Sequence, residues 1–389
     1  MVLKVRGSAR RSVRVRLAVY AAYTGRLSRM EWVMRERLLA AEQVVGFVWR
    51  DGALHVLDQG RLPSEQVWHA CHSVSAVAAL LGCGAVLGAS AKTLCSAYAL
   101  VLGARQRADE GGDWQAGLQA DSQVLVDAGL PDRDADWLLQ QMHQRLARSR
   151  PGAEPLATLE DEAHGIHQRD REANLVMAQL GVELIRGFQG NSQNLLSIGC
   201  AGAMGCGGFG TALAVIRGAQ LEGLLERCYL GESRPLLQGA RLAAWELVEE
   251  GIAVGLSADA ALAHLMKERG ITWAIVGAER IAANGDVLGV IGTYQLSVAA
   301  MHHGVRLMVV APSAVIDLQA ESGEACFHEL GHAPLGYRQS ERVAGVDEVE
   351  PQFDVTPADL VDFLVTEKGV IERPDATKLA QLMSRKHLH

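Results

Sequence analysis

From residue 194 onward, short apolar runs alternate with stretches of helical periodicity. NLLSIGC, RCYLGES, IAVGLSA, TWAIVGA and VRLMVVAP read as strands. TALAVIRGAQLEGLLE, LLQGARLAAWELVEEG, ALAHLMKERG and TYQLSVAAMHHG, which lie between them, read as helices. Strands alternating with helices of ~10–15 residues predict a parallel sheet covered on both faces. Ligands of such sheets bind beyond the carboxyl ends of the strands. That rule singles out the loops 199–210, 231–238, 257–260, 277–292 and 311–318.

The first half is patterned differently. VVGFVWRDGALHVLDQGRLP reads as two short strands around the turn Asp51-Gly52, a hairpin signal. A helical region is expected over 64–146, broken at 82–84 and 111–112. Residues 149–155 (SRPGAEP) interrupt it as a linker. Over 156–186 apolar positions return at helical spacing, with acids in the first turn, so one long helix is expected there. The fold class is α/β: a doubly wound parallel-sheet C-terminal domain with a smaller N-terminal domain of short strands and helices. The expected boundaries are a basic, disordered extension over 1–44, an N-terminal domain over 45–155, a connecting helix over 156–190 and a Rossmann-like C-terminal domain over 191–389.

Charge changes the picture only at the start of the chain. Residues 1–30 hold eight Lys or Arg and no acid, although the whole chain carries a net charge of −8. The basic stretch is read as an extension that packs little over residues 1 to about 40 and tolerates deletion. The acidic bulk speaks against a nucleic-acid partner. No apolar run reaches the ~18–20 residues that span a bilayer, so no membrane partner is expected. The seven cysteines are scattered, without a CxxC pair. This suits a reduced, cytoplasmic protein.

Two motifs suggest chemistry and are then weakened by their surroundings. GCGGFG at 205–210 matches G-x-G-x-x-G between a strand and a helix, with Glu232 at the end of the next strand. Alone it points to an NAD-dependent enzyme. The same glycines also serve a phosphate cradle at a helix start, or a purely structural turn. HELGH at 328–332 matches the H-E-x-x-H of zinc hydrolases. Gly331, Pro334 and Gly336 argue against the helix that motif needs, so no metal site is expected, although Cys326, His328 and His332 form a conceivable cluster. The pairs His302-His303 and His164, His167 read as packing or surface residues, since no further ligands accompany them.

Three longer stretches carry more information: ESRPLLQGARLAAWEL (232–247), IVGAERIAANGDV (275–287) and IGTYQLSVAAMHHG (291–304). They resemble the core motifs of the methylthioribose-1-phosphate isomerase family, which also includes ribose-bisphosphate isomerases and the non-catalytic regulatory subunits of translation initiation factor 2B. The resemblance covers about 45–371, and 353–371 (FDVTPADLVDFLVTEKGVI) is similar to the family's C-terminal helix region. It implies a homodimer, no cofactor, and a small-molecule ligand, a sugar phosphate. It further implies a Cys and an Asp that move protons between C1 and C2 of the sugar, with arginines and a lysine on the phosphate.

Carried over residue by residue, the pattern is altered. The family's C-N-A-G-A-L falls on 199–204, so Gly199 stands at its Cys and Cys200 at its Asn. V-G-A-D-R falls on 276–280, which makes Glu279 the carboxylate and keeps Arg280. R-G-A-P-A-I-G falls on 87–93, which replaces its Arg by Leu87, keeps Gly88 and aligns Ala89. N-K-I-G-T falls on 289–293, which puts Gly289 and Val290 at the amide and the lysine. Gln238 is retained, and Lys92 and Arg133 are the nearby cations. The candidate catalytic pair is therefore Cys200 and Glu279. The candidate substrate-binding residues are Gly88, Ala89, Gln238, Arg280, Gly289 and Val290.

Because charge-assisted bonds contribute about 1.5–3 kcal/mol each, these losses suggest a divergent, repurposed or non-catalytic member that binds an altered ligand or a partner, a pseudoenzyme. In that reading Cys200 points away from Glu279, and Leu87 and Val290 wall the former phosphate end. The alternative is an active sugar-phosphate aldose–ketose isomerase of the methionine-salvage type.

Overall fold

The computed structural model describes residues 29–150, 152–327, 349 and 351–384, with side chains from residue 34 onward. The basic stretch 1–28 and the HELGH motif lie outside the described residues.

The chain begins with helix α1 (Arg29–Ala41). A three-stranded antiparallel sheet follows, made of β1 (Phe47–Arg50), β2 (Ala53–Leu57) and β3 (Trp68–Cys71). Asp51 and Gly52 turn the first hairpin with φ of 54° and 73°, the left-handed pair that a two-residue turn requires. Helices α2 (Val74–Gly82), α3 (Ala89–Asp109), α4 (Trp114–Asp127) and α5 (Asp132–Ala147) complete this half. Residues 68–71 therefore differ from the expected helix. WHAC pairs along β2, which buries Cys71 and leaves Trp68 exposed.

Helix α6 (Pro155–Phe188) runs for 34 residues, ~50 Å at 1.5 Å per residue. Its start is fixed by Pro155 in the first turn and by the Glu154 carboxylate, which accepts from the amides of Leu156 and Ala157. Leu159, Ala163 and Ile166 pack into the core of the first half. Leu175, Val182 and Ile185 pack into the core of the second.

Beyond it come β4 (Gln193–Ser197), α7 (Ala212–Leu221), β5 (Leu225–Gly231), α8 (Ala244–Glu249), β6 (Val254–Ser257), α9 (Leu262–Glu268) and β7 (Ile271–Val276). The order continues with β8 (Arg280–Ala282), β9 (Val287–Val290), α10 (Thr293–His303), β10 (Arg306–Val310), β11 (Ile316–Asp317) and α11 (Gly323–Phe327). It ends with β12 (Phe353–Thr356), β13 (Phe363–Thr366), β14 (Gly369–Glu372) and α12 (Ala376–Ser384).

Seven strands form one sheet in the order β14-β13-β10-β7-β4-β5-β6. All neighbours are parallel except β13 and β14. The period-2 pattern divides its residues between two cores. Leu195, Cys228, Leu230, Trp273, Ile275, Met308 and Val310 face α1, α6, α7 and α8. Leu196, Ala274, Val276, Leu307 and Val309 face α9, α10 and α12. The fold class is as expected: α/β, a largely parallel sheet with helices on both faces. Two details differ. Residues 353–371 form strands β12 to β14, because the FDVT and FLVT runs, rich in Val, Phe and Thr, pair with β9 and β10. Strands β8 and β9 leave the main sheet and join β11 and β12 in a separate four-stranded one.

The expectation that the N-terminal stretch packs little does not hold for residues 34–38. Met34 and Leu38, one helical turn apart, are 7% and 1% exposed in the core beside α6 and α7. Arg35 pairs with Glu172. Glu36 and Arg37 are exposed on the same helix. Among the described residues no helix is long and apolar enough to cross a membrane.

Candidate active site

Strands β4 and β7 are neighbours, yet the chain leaves β4 toward β5 and leaves β7 toward β10. At such a switch point the loops diverge and open a crevice at the carboxyl ends. A cleft of ≈ 80 Å³ lies there. Its walls are residues 198–202 after β4, 276–279 after β7, Thr293 at the start of α10, Gln238 ahead of α8, and 87–90 at the start of α3. Drug-sized ligands need ~300–1,000 Å³, so the cleft suits a single small molecule such as one sugar.

The loop after β4 is held from outside by charge. Glu246, fully buried, accepts from the amides of Ala203 (2.6 Å) and Met204 (3.4 Å) and is ion-paired with Arg217. Arg217 also donates to the Phe209 carbonyl and to Glu250 (2.5 Å), so one guanidinium ties both ends of the loop to α7 and α8. Gly202 must lack a Cβ, since one would overlap the Glu246 carboxylate. Asp170 of α6 takes the Gly207 amide at 2.7 Å and Asn174 Nδ2 at 3.1 Å. On the other side Gly88, at φ +88°, meets Gly205 so closely that a Cβ would lie 2.6 Å from its Cα. This contact presses the start of α3 onto the glycine-rich turn.

Cys200 and Glu279 both line this cleft, and the Glu279 charge is felt at the Cys200 thiol. Both residues border the one cleft, and Cys200 also packs against the cluster of Val44, Leu57, Leu62, Met204 and Leu242. Burial, with Glu246 and Glu279 adding repulsion, pushes the Cys200 thiol far above its ordinary value of 9.0, so it stays protonated and offers an S–H. Burial raises the Glu279 carboxyl above 4.5, opposed by Lys92, Arg280 and a hydrogen bond from the Ala89 amide. A protonated thiol and a carboxyl of raised pKa across one small cleft can serve as acid and base for moving protons on a bound sugar.

Of the six candidate substrate-binding residues, Gly88, Ala89, Gln238 and Val290 line the cleft, and Leu87 walls it beside them. Gly289 and Arg280 do not. Gly289 lies against Thr293, where a Cβ would stand 2.8 Å from Oγ1. Arg280 is 7% exposed and acts on the Asp134 carboxyl. The two nearby cations do not line the cleft, although the Lys92 charge acts on Glu279. Lys92 Nζ is 3.4 Å from the Gly129 carbonyl, and Arg133 pairs with Asp317 at 2.9 Å.

The G-x-G-x-x-G turn lines the same cleft through Gly205 and Cys206. His164 and His167 share the Tyr98 hydroxyl, at 3.2 and 3.0 Å, as packing residues. Among the described residues no group of three metal-binding side chains occurs. Residues 328 and 332 lie outside that description, and Cys326 is buried at the end of α11.

Sequence reasoning missed Glu246, Asp170 and Asp354. Asp354 accepts from the amides of Gly292 (2.7 Å) and Tyr294 (3.1 Å) at the start of α10. The obstacle was distance: each carboxylate caps a loop tens of residues away.

Residues 86–373 match the sequence profile of the initiation factor 2 subunit family. The chain belongs to this family. Within it, the chain is 57% identical to a methylthioribose-1-phosphate isomerase of Pseudomonas putida over 358 residues, 92% of this chain and 100% of that protein. It is 56% identical, over the same shares, to one of Azotobacter vinelandii. Among solved structures, the 5-methylthioribose 1-phosphate isomerase of Pyrococcus horikoshii OT3 superposes with a TM-score of 0.78 at 28% identity, covering 90% of this chain and 99% of that one. The eIF-2B delta subunit of A. fulgidus superposes with a TM-score of 0.73 at 30% identity, covering 87% and 100%. The family thus holds both proteins named as isomerases and proteins named as initiation-factor subunits. The Pseudomonas and Azotobacter relatives, well above the A. fulgidus subunit in identity, carry the isomerase name.

Proposed function

We propose that this protein is an aldose–ketose isomerase acting on a 5-modified ribose of the methylthioribose 1-phosphate type, in the methionine-salvage manner that the family resemblance implies. The observation that carries the reading is the meeting of Cys200 and Glu279 in one cleft at the switch point between β4 and β7. Identity of 57% to proteins named for this reaction, over their whole length, supports it and favours the active reading over the degraded one. In the proposed reaction the Glu279 carboxylate takes the C2 proton of the opened sugar. The Cys200 thiol protonates the ring oxygen as the bond between it and C1 breaks, and takes the proton back from the C2 hydroxyl. A proton then returns to C1 as the C2 hydroxyl becomes a carbonyl, so the conversion is internal and needs no oxidant.

A second reading, binding without turnover, is favoured by one observation. Gly199 stands where the family pattern has its cysteine, and Leu87 and Val290 stand where it has cations. One experiment separates the two readings. The full chain is incubated with methylthioribose 1-phosphate and, separately, with its free sugar, and ketose formation is followed by NMR. Turnover that disappears in Glu279→Gln and falls in Cys200→Ser supports the isomerase. Binding of a sugar with no ketose from either compound selects the second reading.

A further inference from the structure

Several backbone amides of the loops that build the cleft are already capped by carboxylates of the protein itself. A phosphate site in a fold like this uses free N–H groups at helix starts and glycine turns, together with cationic side chains. Here the Ala203 and Met204 amides are taken by Glu246. The Gly207 amide is taken by Asp170. The start of α10, through Gly292 and Tyr294, is taken by Asp354. The start of α3 is taken by Glu279, which accepts from the Ala89 amide. Much of what remains of the glycine turn is closed on itself: Thr211 N and Leu213 N both donate to the Ala201 carbonyl, and Gly210 N to that of Gly208.

The side chains say the same. Glu279 is the one charged residue among the described residues that line the cleft, and the wall around it is apolar at Leu87, Ile198, Val276 and Val290. A dianion placed there finds these amides engaged, Glu279 on the wall and no lining cation, since Lys92 and Arg280, whose charges act on Glu279, stand outside the lining. Repulsion at ~4 Å is substantial even at an effective dielectric of ~20. An uncharged hydroxyl-bearing end meets none of this, and it finds hydrogen-bonding groups in Gln238, Thr293, Glu279 and the Cys200 thiol.

We infer that the ligand of this cleft is an uncharged sugar, a 5-modified ribose with a free hydroxyl at C1 in place of the 1-phosphate. The inference rests on the sugar-isomerase reading and departs from it in one point, the absence of the 1-phosphate. The chemistry closes without the phosphate. A free C1 hydroxyl lets the ring open by moving its proton to the ring oxygen, which leaves an aldehyde at C1. That carbonyl acidifies the C2 proton, which Glu279 removes while Cys200 protonates O1. The enediol then returns a proton to C1 and loses one from the C2 hydroxyl, giving the ketose with all atoms and electrons retained.

The test uses the full chain with two probes, 5-methylthioribose and 5-methylthioribose 1-phosphate, by titration calorimetry and by NMR assay of ketose formation. The expected result is at least tenfold tighter binding of the free sugar, unchanged between 50 and 500 mM salt as suits an uncharged ligand. Equal or tighter binding of the phosphorylated sugar, or no binding of either, overturns the inference. If the phosphorylated sugar alone is turned over, the inference fails and the isomerase reading stands. If the free sugar binds more tightly and neither is turned over, the isomerase reading fails and the ligand assignment stands. A Leu87→Arg, Val290→Lys double variant should move the preference at least tenfold toward the phosphorylated sugar. No movement in a variant shown to be folded by its thermal transition counts against the inference.

Discussion

Val290 occupies the space that a side chain at Gly199 would need. A Cβ on Gly199 would lie 2.8 Å from Val290 Cγ2, and the Gly199 backbone sits at φ +79°. Both effects oppose any residue but glycine there, and the β-branched valine has few rotamers with which to withdraw. Gly199→Cys, which puts the family's residue back at its aligned position, should therefore destabilise the protein by about 2–4 kcal/mol from strain and overpacking. Val290→Ala in the same chain should recover part of that loss, a coupling of ~0.5–3 kcal/mol. Denaturant unfolding of the two single variants and the double variant measures it. Additive effects would mean that the two positions changed independently.

Leu38 makes the case for α1. It is 1% exposed and packs in the core formed by α6, α7 and the main sheet. Leu38→Ala should lower stability by about 2–5 kcal/mol, the usual range for emptying a buried leucine site. A midpoint unchanged in urea would return α1 to the status of a dispensable extension.

What the sequence made legible was whatever is local. Strand and helix periodicity located β4, β5, β6, β7 and β10. The Asp51-Gly52 pair located the first hairpin, and the alternation of elements placed the cleft at the carboxyl ends. The rest was written in long-range pairings. Trp68–Cys71 is too short to announce a strand and is one because β2 lies beside it. Phe353–Thr356 is a strand because β9 pairs with it antiparallel. Met34 and Leu38 are spaced as one helical face, a signal outweighed by the basic residues ahead of them. The cleft electrostatics were hidden for the same reason. Glu246 lies 43 residues from Ala203 and Asp354 lies 62 from Gly292, so no motif links cap to capped amide. The substitutions at Leu87, Gly199 and Val290 were visible. The apolar wall they make at Leu87 and Val290 was visible too, while the capping of the surrounding loops by Glu246, Asp170 and Asp354 was not.

Asp354 should leave a signature in the pH dependence of stability. Burial raises its carboxyl from 3.8 to about 6, against the pull of the Gly292 and Tyr294 amides. A carboxyl whose folded pKa lies above its unfolded one binds its proton more tightly in the native state. Its contribution is therefore full below about 3.8 and is lost as pH rises through about 6. In Asp354→Asn the side chain stays neutral and still offers an oxygen to the same amides. The wild type should lose ~1–2 kcal/mol relative to this variant between pH 4 and 7, the raw shift being reduced by partial solvent screening. Unfolding curves of both proteins at several pH values test this, and a constant gap between them would refute it.

The proton-transfer pair makes the sharpest kinetic prediction. Glu279 acts as the base only when ionised, and burial holds its pKa above the ordinary 4.5. With the sugar that is turned over, kcat/KM should therefore rise with pH through a single acid limb above 4.5. Cys200 acts as the proton donor, and its thiol is held far above 9.0 by burial and by Glu246 and Glu279. No basic limb from this thiol should then appear below pH 9, and iodoacetamide should alkylate Cys200 slowly at neutral pH, since the thiolate is the reactive form. Glu279→Gln removes the base and should lower kcat by about 10²–10⁴ while KM moves little. Cys200→Ser keeps a donor of similar size and should cost less. Glu279→Asp draws the carboxylate back by about one methylene from both the Ala89 amide and the sugar, and should fall between the two, because such sites tolerate only ~0.5 Å of displacement. A wild-type acid limb that persists unchanged in Glu279→Asp and in residual Glu279→Gln activity would assign the base to another residue. Asp170, buried beside the glycine turn and raised to about 6, would then be the first group to examine.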